Sequence, residues 1–205
     1  MPRGGRCLRC SATTSVSRRT ARVWTLDALG CLPAAHFVAS PNCDERPPGE
    51  LITLLVVHNI SLPPGRFSGN AVVDLFLNRL DRSAHSCFSQ LAELRVSAHF
   101  FLRRRGELIQ FVPCSKRAWH AGASRWKGRE RCNDFSIGIE LEGSDDVPFT
   151  DAQYRVLARL TQTLRAAYPI SDIAGHADIS PGRKTDPGPH FDWLRFRSML
   201  ACHHT

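Results

Sequence analysis

The chain has 205 residues, 42% of them hydrophobic, which is enough for the buried core of one ordinary globular domain. Its formal net charge is +8, but six of these charges are arginines before Asp27, where no acid occurs, so that +2 remains for the rest. A nearly neutral body argues against a nucleic-acid partner, and no stretch approaches the ~20 apolar residues of a membrane span.

Residues 1–23 are rich in Arg, Ser and Thr, and we expect them to form a disordered tail. An organelle transit peptide and a wrongly assigned start codon are the alternatives, whereas the apolar run of a secretory signal is missing. The eight cysteines are scattered through the chain, which predicts reduced thiols and a cytoplasmic location. Cys7 and Cys10 have the spacing of half a zinc site, but no second close pair follows.

The first predicted element is a buried central strand within residues 50–59, which would have His58 at its carboxyl end. A short amphipathic helix is predicted at 70–80, where apolar residues recur at helical spacing. Residues 96–113 then divide near Gly106 into two apolar runs, which is typical of a β-hairpin.

Residues 116–133 show little periodicity and much Gly, Arg and Trp, which predicts a long surface loop. The segment 134–143 alternates between apolar and polar residues, so it is predicted to be a strand with Glu140 and Glu142 on its polar face.

A capping box at Thr150 predicts a helix that runs to about residue 167. A short strand at 170–176 and a closing helix at 191–200 complete the pattern. Strands and helices interleave without the Gly-rich phosphate fingerprint of a dinucleotide fold. We therefore predict an α/β fold in which a central mixed β-sheet is flanked by α-helices.

Several residues could ligate a catalytic metal. Zinc in such a site needs three ligands from His, Asp, Glu or Cys and an open position. His58, His176 and Asp186 follow strands or lie in a loop, where distant residues can meet at one sheet edge. A single His is more often a surface or satisfied polar residue, and spacing alone does not choose between this set and three further candidates, His85, His99 and His120.

Six motifs occur in order along the chain: "LLVVHNISLPPG", "LRVSAHF", "KRAWHAG", "GRERCNDFSIGIELEG", "TDAQY" and "GHADISPGRKTDPGPHFDW". Together they closely resemble the AmpD-type amidases, the zinc-dependent 1,6-anhydro-N-acetylmuramoyl-L-alanine amidases of peptidoglycan recycling. The resemblance spans residues 24–200 and implies a single domain with the amidase_2 fold of the peptidoglycan recognition proteins. Tails at 1–23 and 201–205 would flank this domain.

The resemblance also implies the site residues. It assigns the zinc ligands to His58, His176 and Asp186. Glu140 matches the acidic catalytic residue, which would take a proton from the attacking water and deliver it to the departing amine. Lys184 matches a cation that would stabilise the oxyanion formed at the amide carbonyl.

The implied substrate is a small soluble muropeptide, an anhydro-muramyl sugar that carries L-Ala, γ-D-Glu and a diamino acid. Its carboxylates call for guanidinium partners, and Arg95 and Arg131 occupy the matching positions. Asn59 is expected to bond the peptide, and Trp119 and His120 to contact the sugar. The alternatives are ordinary surface arginines and a Trp119 that packs in the core.

We therefore expect a monomeric zinc amidase that cleaves the bond between anhydro-N-acetylmuramic acid and L-alanine, with no nucleic-acid or membrane partner. In the family this reaction recycles cell-wall fragments and, in some bacteria, regulates β-lactamase. The rival interpretations are a muropeptide-binding module without activity, an exported autolysin or endolysin, and an Arg-rich nucleic-acid binder. The complete ligand set, the recycling-type motifs and the nearly neutral body argue against them in turn.

Overall fold

The computed structural model of the protein describes residues 23–201. The predictions for the basic tail at 1–22, for Cys7 and Cys10, and for residues 202–205 lie outside this part. Its strands are β1 (His36–Phe37), β2 (Cys43–Glu45), β3 (Leu54–Ile60), β4 (Phe100–Leu102), β5 (Leu108–Gln110), β6 (Lys116–Ala118), β7 (Arg125–Trp126), β8 (Arg129–Glu130), β9 (Ser136–Glu142) and β10 (Asp172–Gly175). Its α-helices are α1 (Ala71–Phe76), α2 (Phe88–Leu91), α3 (Asp151–Ala167), α4 (His176–Ile179) and α5 (Trp193–Ala201), and a 3-10 helix spans Cys132–Phe135.

A six-stranded mixed sheet in the order β1-β5-β4-β9-β3-β10 forms the centre of the fold. Strand β3 pairs in parallel with both β9 and β10, and β4 also runs parallel to β9. The hairpin of β4 and β5 supplies the antiparallel pair. The predicted α/β fold with a mixed central sheet is therefore confirmed.

One face of the sheet is covered by the two longest helices. Leu55 and Val57 of β3 point to this face and share its apolar core with Leu157 and Leu160 of α3 and Phe196 of α5. All five side chains are almost fully buried. Because this core contains most of the large apolar residues of the central strands, it anchors the sheet on which the polar residues of the other face depend.

The opposite face is covered by α1 and α2 over β4 and β5, and by a loop and α4 over β3. Successive side chains of a strand alternate between faces, so Leu54 and Val56 pack here against Ala121 and Ile179. His58 is the next residue of β3 on this face, and its side chain is 1% exposed. On this face of β3, the apolar Val56 is thus followed two residues later by the polar His58.

Most predicted elements are present with shifted ends. The central strand begins at Leu54 rather than at residue 50, and the helix predicted at 70–80 ends at Phe76. Asn78 explains the early end, because its backbone is left-handed with φ of 58° and cannot continue an α-helix. The closing helix α5 extends to Ala201, one residue beyond the predicted boundary of the domain.

The surface loop predicted at 116–133 is wrong in large part. Strand β6 lies in its first half and pairs with β2, and Ala118 of this strand and the following His120 and Ala121 are buried. Strands β7 and β8 form a short antiparallel pair in its second half. Strands of two or three residues are too short to show an alternating pattern, which is why the sequence did not indicate them. Within residues 23–201, no helix combines the length and the apolar character needed to cross a membrane.

The capping box predicted at Thr150 is confirmed and gives a test of the fold. Its Oγ1 accepts from the Gln153 backbone N–H at 3.2 Å, and Gln153 Oε1 accepts from the Thr150 N–H at 3.0 Å. We expect Thr150→Ala to lower the free energy of unfolding by about 1 kcal/mol, measured by urea denaturation. Thr150→Ser keeps the hydroxyl and should stay close to the parent protein; equal losses in both variants would contradict this assignment.

Candidate metal centre and catalytic site

The strand register brings three chemically active residues into one row. His58 of β3 is the direct partner of Glu140 on β9, so the two side chains lie side by side on the same face. On the other flank, Val57 pairs with Gly175, the last residue of β10, and His176 follows immediately. Glu140, His58 and His176 therefore come from three adjacent parallel strands at their carboxyl ends.

Two histidines and one aspartate converge at this edge. The Nδ1 atoms of His58 and His176 are 3.0 Å apart, and Asp186 Oδ2 lies 3.1 Å from each of them. Both imidazoles are buried and the carboxylate is half-buried. These three residues form a group that could hold a metal ion.

The loop after α4 delivers Asp186. Its backbone carbonyl accepts a hydrogen bond from the Ala177 N–H at 2.8 Å, which ties the loop back to the first turn of α4. The next residue, Pro187, packs directly against Gly175, where a Cβ atom would lie only 2.7 Å from the proline Cδ. A side chain at Gly175 would thus push the loop, and Asp186 with it, away from the histidines.

The protonation states of His58 and Asp186 suit the binding of a cation. Burial lowers the pKa of His58 to about 4, which favours the neutral imidazole. Burial alone would raise the pKa of Asp186, but hydrogen bonds with His176 and His58 outweigh it and hold that pKa below its usual value. Neutral imidazole and ionised carboxylate are the forms that bind a metal.

Glu140 is a buried carboxyl group beside the triad. Its Oε1 lies 4.0 Å from His58 Nδ1, and its Oε2 is buried with no hydrogen-bond partner among the described residues. Burial raises the pKa of Glu140 well above the usual value, and the charge of Asp186 adds to this effect, while Lys184 opposes it. A carboxyl group in such surroundings is suited to exchange a proton during a reaction.

An open cavity of about 350 Å³ adjoins the triad, lined by Asn59, Lys184 and Asp186 among others. A second cavity, of about 560 Å³, contains Arg131. Arg183 lines both cavities. The basic Arg131 and Lys184 at their rims lie among the acidic residues Glu130, Asp145 and Asp186.

Two of the predicted substrate residues lie at these cavities. The Asn59 side chain donates to Asp145 Oδ1 at 2.7 Å, next to the first histidine of the triad. Arg131 is exposed, and its Nε lies 3.1 Å from Asp134 Oδ2. Their contacts with a substrate stay a prediction.

The other three lie elsewhere. Arg95 is exposed and donates to carbonyl oxygens of its own turn, and Trp119 donates from its indole N–H to Asp44 Oδ1 at 3.2 Å. His120 is buried, with Nδ1 2.9 Å from His58 Nε2 and Nε2 3.2 Å from Ser136 Oγ. Since both of its ring nitrogens have partners inside the protein, this position favours a role toward His58 over contact with a sugar.

Three residues of the site were missed in the sequence: Asp145, Asn133 and Gly138. Asp145 lies in a turn and Asn133 in the short 3-10 helix, and in such short elements no pattern singles out one amide or carboxylate. Gly138 did carry a signal, because a glycine inside a strand often marks the close approach of another group. A Cβ atom there would lie 2.4 Å from Cγ of His120.

Known proteins match this chain closely. The N-acetylmuramoyl-L-alanine amidase family, Amidase_2, matches residues 48–189. The 1,6-anhydro-N-acetylmuramyl-L-alanine amidase AmpD of Salmonella typhimurium is 59% identical over 174 residues, which cover 84% of this chain and 93% of that protein.

Solved structures agree with this match. The crystal structure of a selenomethionine AmpD derivative superposes with a TM-score of 0.83 at 56% identity, covering 85% of this chain and 98% of that one. The amidase AmiD from E. coli, in complex with the substrate anhydro-N-acetylmuramic acid-L-Ala-D-γ-Glu-L-Lys, has a TM-score of 0.54 at 31% identity, covering 76% of this chain and 60% of that one. The family match covers more than half of this chain, and the match to AmpD covers most of it. The chain therefore belongs to the N-acetylmuramoyl-L-alanine amidase family and, within that family, to the AmpD-type amidases.

Proposed function

We propose that this protein is a zinc-dependent hydrolase of the amide bond between 1,6-anhydro-N-acetylmuramic acid and L-alanine in small soluble muropeptides. The observation that carries the proposal is the convergence of His58, His176 and Asp186 beside the buried Glu140. Similarity to AmpD over 84% of the chain supports the anhydro sugar as the substrate group. The AmiD complex supports it as well, since that relative binds an anhydro-muropeptide.

Zinc fits the donor set of the triad. Two imidazole nitrogens and one carboxylate oxygen are typical ligands of a catalytic zinc with an open fourth position. Their separations of 3.0 and 3.1 Å are near the ~3.3 Å between ligands of a tetrahedral zinc with bonds of about 2.0–2.1 Å. When bound, zinc would supply Lewis acidity, which polarises an amide carbonyl and lowers the pKa of water.

Two side chains of the protein would carry out the rest of the chemistry. Glu140 Oε2, which has no partner among the described residues, would accept a proton from the attacking water and return it to the nitrogen of the departing L-alanine. Lys184 lines the cavity next to Asp186, and its ammonium group would stabilise the negative charge that develops on the amide oxygen.

The rim residues suit an anionic peptide. Arg131 and Arg183 in the adjoining cavity would face the carboxylates of the stem peptide, and Asn59 would bond its backbone. We keep Arg95 and Trp119 as proposed contacts on the strength of the family motifs alone.

The cellular setting is part of the same proposal. The similarity to AmpD supports a role in the recycling of cell-wall fragments, linked in some bacteria to β-lactamase regulation. The cysteines among residues 23–201 are free thiols, which supports the reducing environment of the cytoplasm. We propose that the protein acts there as a monomer.

The proposed activity can be tested with two substrates. We expect the metal-loaded protein to release peptide from soluble anhydromuropeptide, to act far more slowly on intact peptidoglycan, and to lose activity with a chelator; mass spectrometry of the released peptide measures all three. No chelator-sensitive release from the soluble fragment would overturn the proposal. Equal release from intact wall would favour an autolysin instead.

Removing one ligand tests the metal site. His176→Ala should lose both bound zinc and activity, because two ligands hold zinc far more weakly than three. Zinc content by atomic absorption and turnover are the measurements. His36→Ala is the control, since His36 lies in β1 at the opposite edge of the sheet from β10. Turnover retained by His176→Ala would mean that the ligand set is wrong.

A pair of variants on one strand tests the proton carrier. Glu140→Gln should lower kcat by about 10²- to 10⁴-fold and keep its zinc, because only the proton transfer is lost. Glu142→Gln is the matched control: Glu142 lies two residues on, and its Oε2 accepts from the Arg104 N–H at 3.0 Å. Equal losses in both variants would argue against a catalytic role for Glu140.

A further inference from the structure

Two consecutive residues, His120 and Ala121, contact the outer ring nitrogens of both triad histidines. The outer nitrogen of His58, Nε2, lies 2.9 Å from His120 Nδ1. The outer nitrogen of His176 lies 3.1 Å from the carbonyl oxygen of Ala121. One short segment therefore contacts both imidazoles on the side away from the metal position, through the His120 side chain and the Ala121 carbonyl.

Asn133 fixes this piece of backbone. Its Oδ1 accepts from the N–H groups of both His120, at 3.2 Å, and Ala121, at 2.9 Å. The backbone carbonyl of Asn133 accepts in turn from the buried guanidinium of Arg46 at 3.1 Å. We call His120, Ala121 and Asn133 the histidine brace.

The ring of His120 packs against strand β9 of the sheet. Gly138 of β9 leaves the space for it, since a Cβ atom there would come within 2.4 Å of the ring. Ser136, two residues earlier on the same face, meets the far nitrogen of the ring at 3.2 Å. The ring can therefore neither rotate freely nor move toward the sheet.

The brace favours a proton on the outer nitrogen of each ligand, Nε2. A carbonyl oxygen can only accept, so His176 Nε2 donates to Ala121 and its Nδ1 presents a lone pair to the triad. For His58 the same orientation requires Nε2 to donate to His120 Nδ1, and His120 Nε2 then donates to Ser136 Oγ. In this tautomer both ligands would offer an Nδ1 lone pair to a cation bound beside Asp186, in place of the hydrogen bonds that their Nδ1 atoms can make to that carboxylate without metal.

We infer that the histidine brace is an outer shell that sets the metal affinity of the site by orienting both histidine ligands at once. The inference rests on the proposed zinc site. Hydrogen bonds behind metal-ligating histidines are generally worth about 10- to 100-fold in metal affinity. Here two such bonds depend on one asparagine, so a single residue without contact to the metal should affect both ligands.

Variants at two positions test the brace through zinc binding itself. For the full-length protein, competition with a chromophoric chelator would give the zinc Kd of each variant. We expect His120→Leu and Asn133→Leu to weaken zinc binding about 10- to 100-fold. His120→Asn and Asn133→Asp keep an acceptor oxygen near the original atom, so their Kd should stay within about threefold of the parent. The melting temperature of each metal-free variant reports any general loss of fold.

The double variant provides a second criterion. If His120 and Asn133 act through one brace, His120→Leu combined with Asn133→Leu should cost less than the product of the two single effects. Leucine variants that bind zinc as tightly as their polar counterparts would overturn the inference, and so would equal weakening in all four single variants. Failure of the parent protein to bind zinc would instead overturn the proposed function, and the brace with it.

Discussion

The parallel pairing of β9, β3 and β10 is the constraint on which the site depends. It fixes Glu140 opposite His58 and brings His176 to the same end of the sheet, although the three residues are far apart in sequence. A slip of one residue in β3 would turn His58 to the face covered by α3 and α5. The apolar core on that face therefore keeps His58 at the site, because burial of the core residues of β3 is compatible with only one strand register.

The layer beneath the triad is polar and yet buried. His99 accepts from the Gly138 N–H at 3.1 Å, so its other nitrogen donates to the Lys116 carbonyl at 3.1 Å, and Arg46 satisfies four backbone carbonyls nearby. A buried polar network stabilises a structure only when nearly all of its groups are bonded. That condition is met for His99 and Arg46, and the loop that carries His120 is tied to Ser97 and Asn133 by hydrogen bonds of its backbone.

The sequence predicted those parts of the fold that have a local pattern. Hydrophobic runs predicted β3 and the hairpin, the alternation of apolar and polar residues predicted β9, and the capping box predicted α3. The triad was recognised through motifs, since spacing left His85, His99 and His120 as equal candidates to His58. The brace could not be predicted, because its hydrogen bonds join a loop to two strands and a helix, and no periodicity records contacts between such distant segments.

Gly138 also has a consequence for attempts to make the protein more robust. A glycine within a strand costs about 0.5–1 kcal/mol relative to alanine, so replacing it would ordinarily be an attractive route to a more stable sheet. Here the added methyl group would collide with the ring of His120. This collision would cost more stability than the loss of a strand glycine gains and would also displace the ring from His58, so thermostabilisation of β9 has to be sought on its other face.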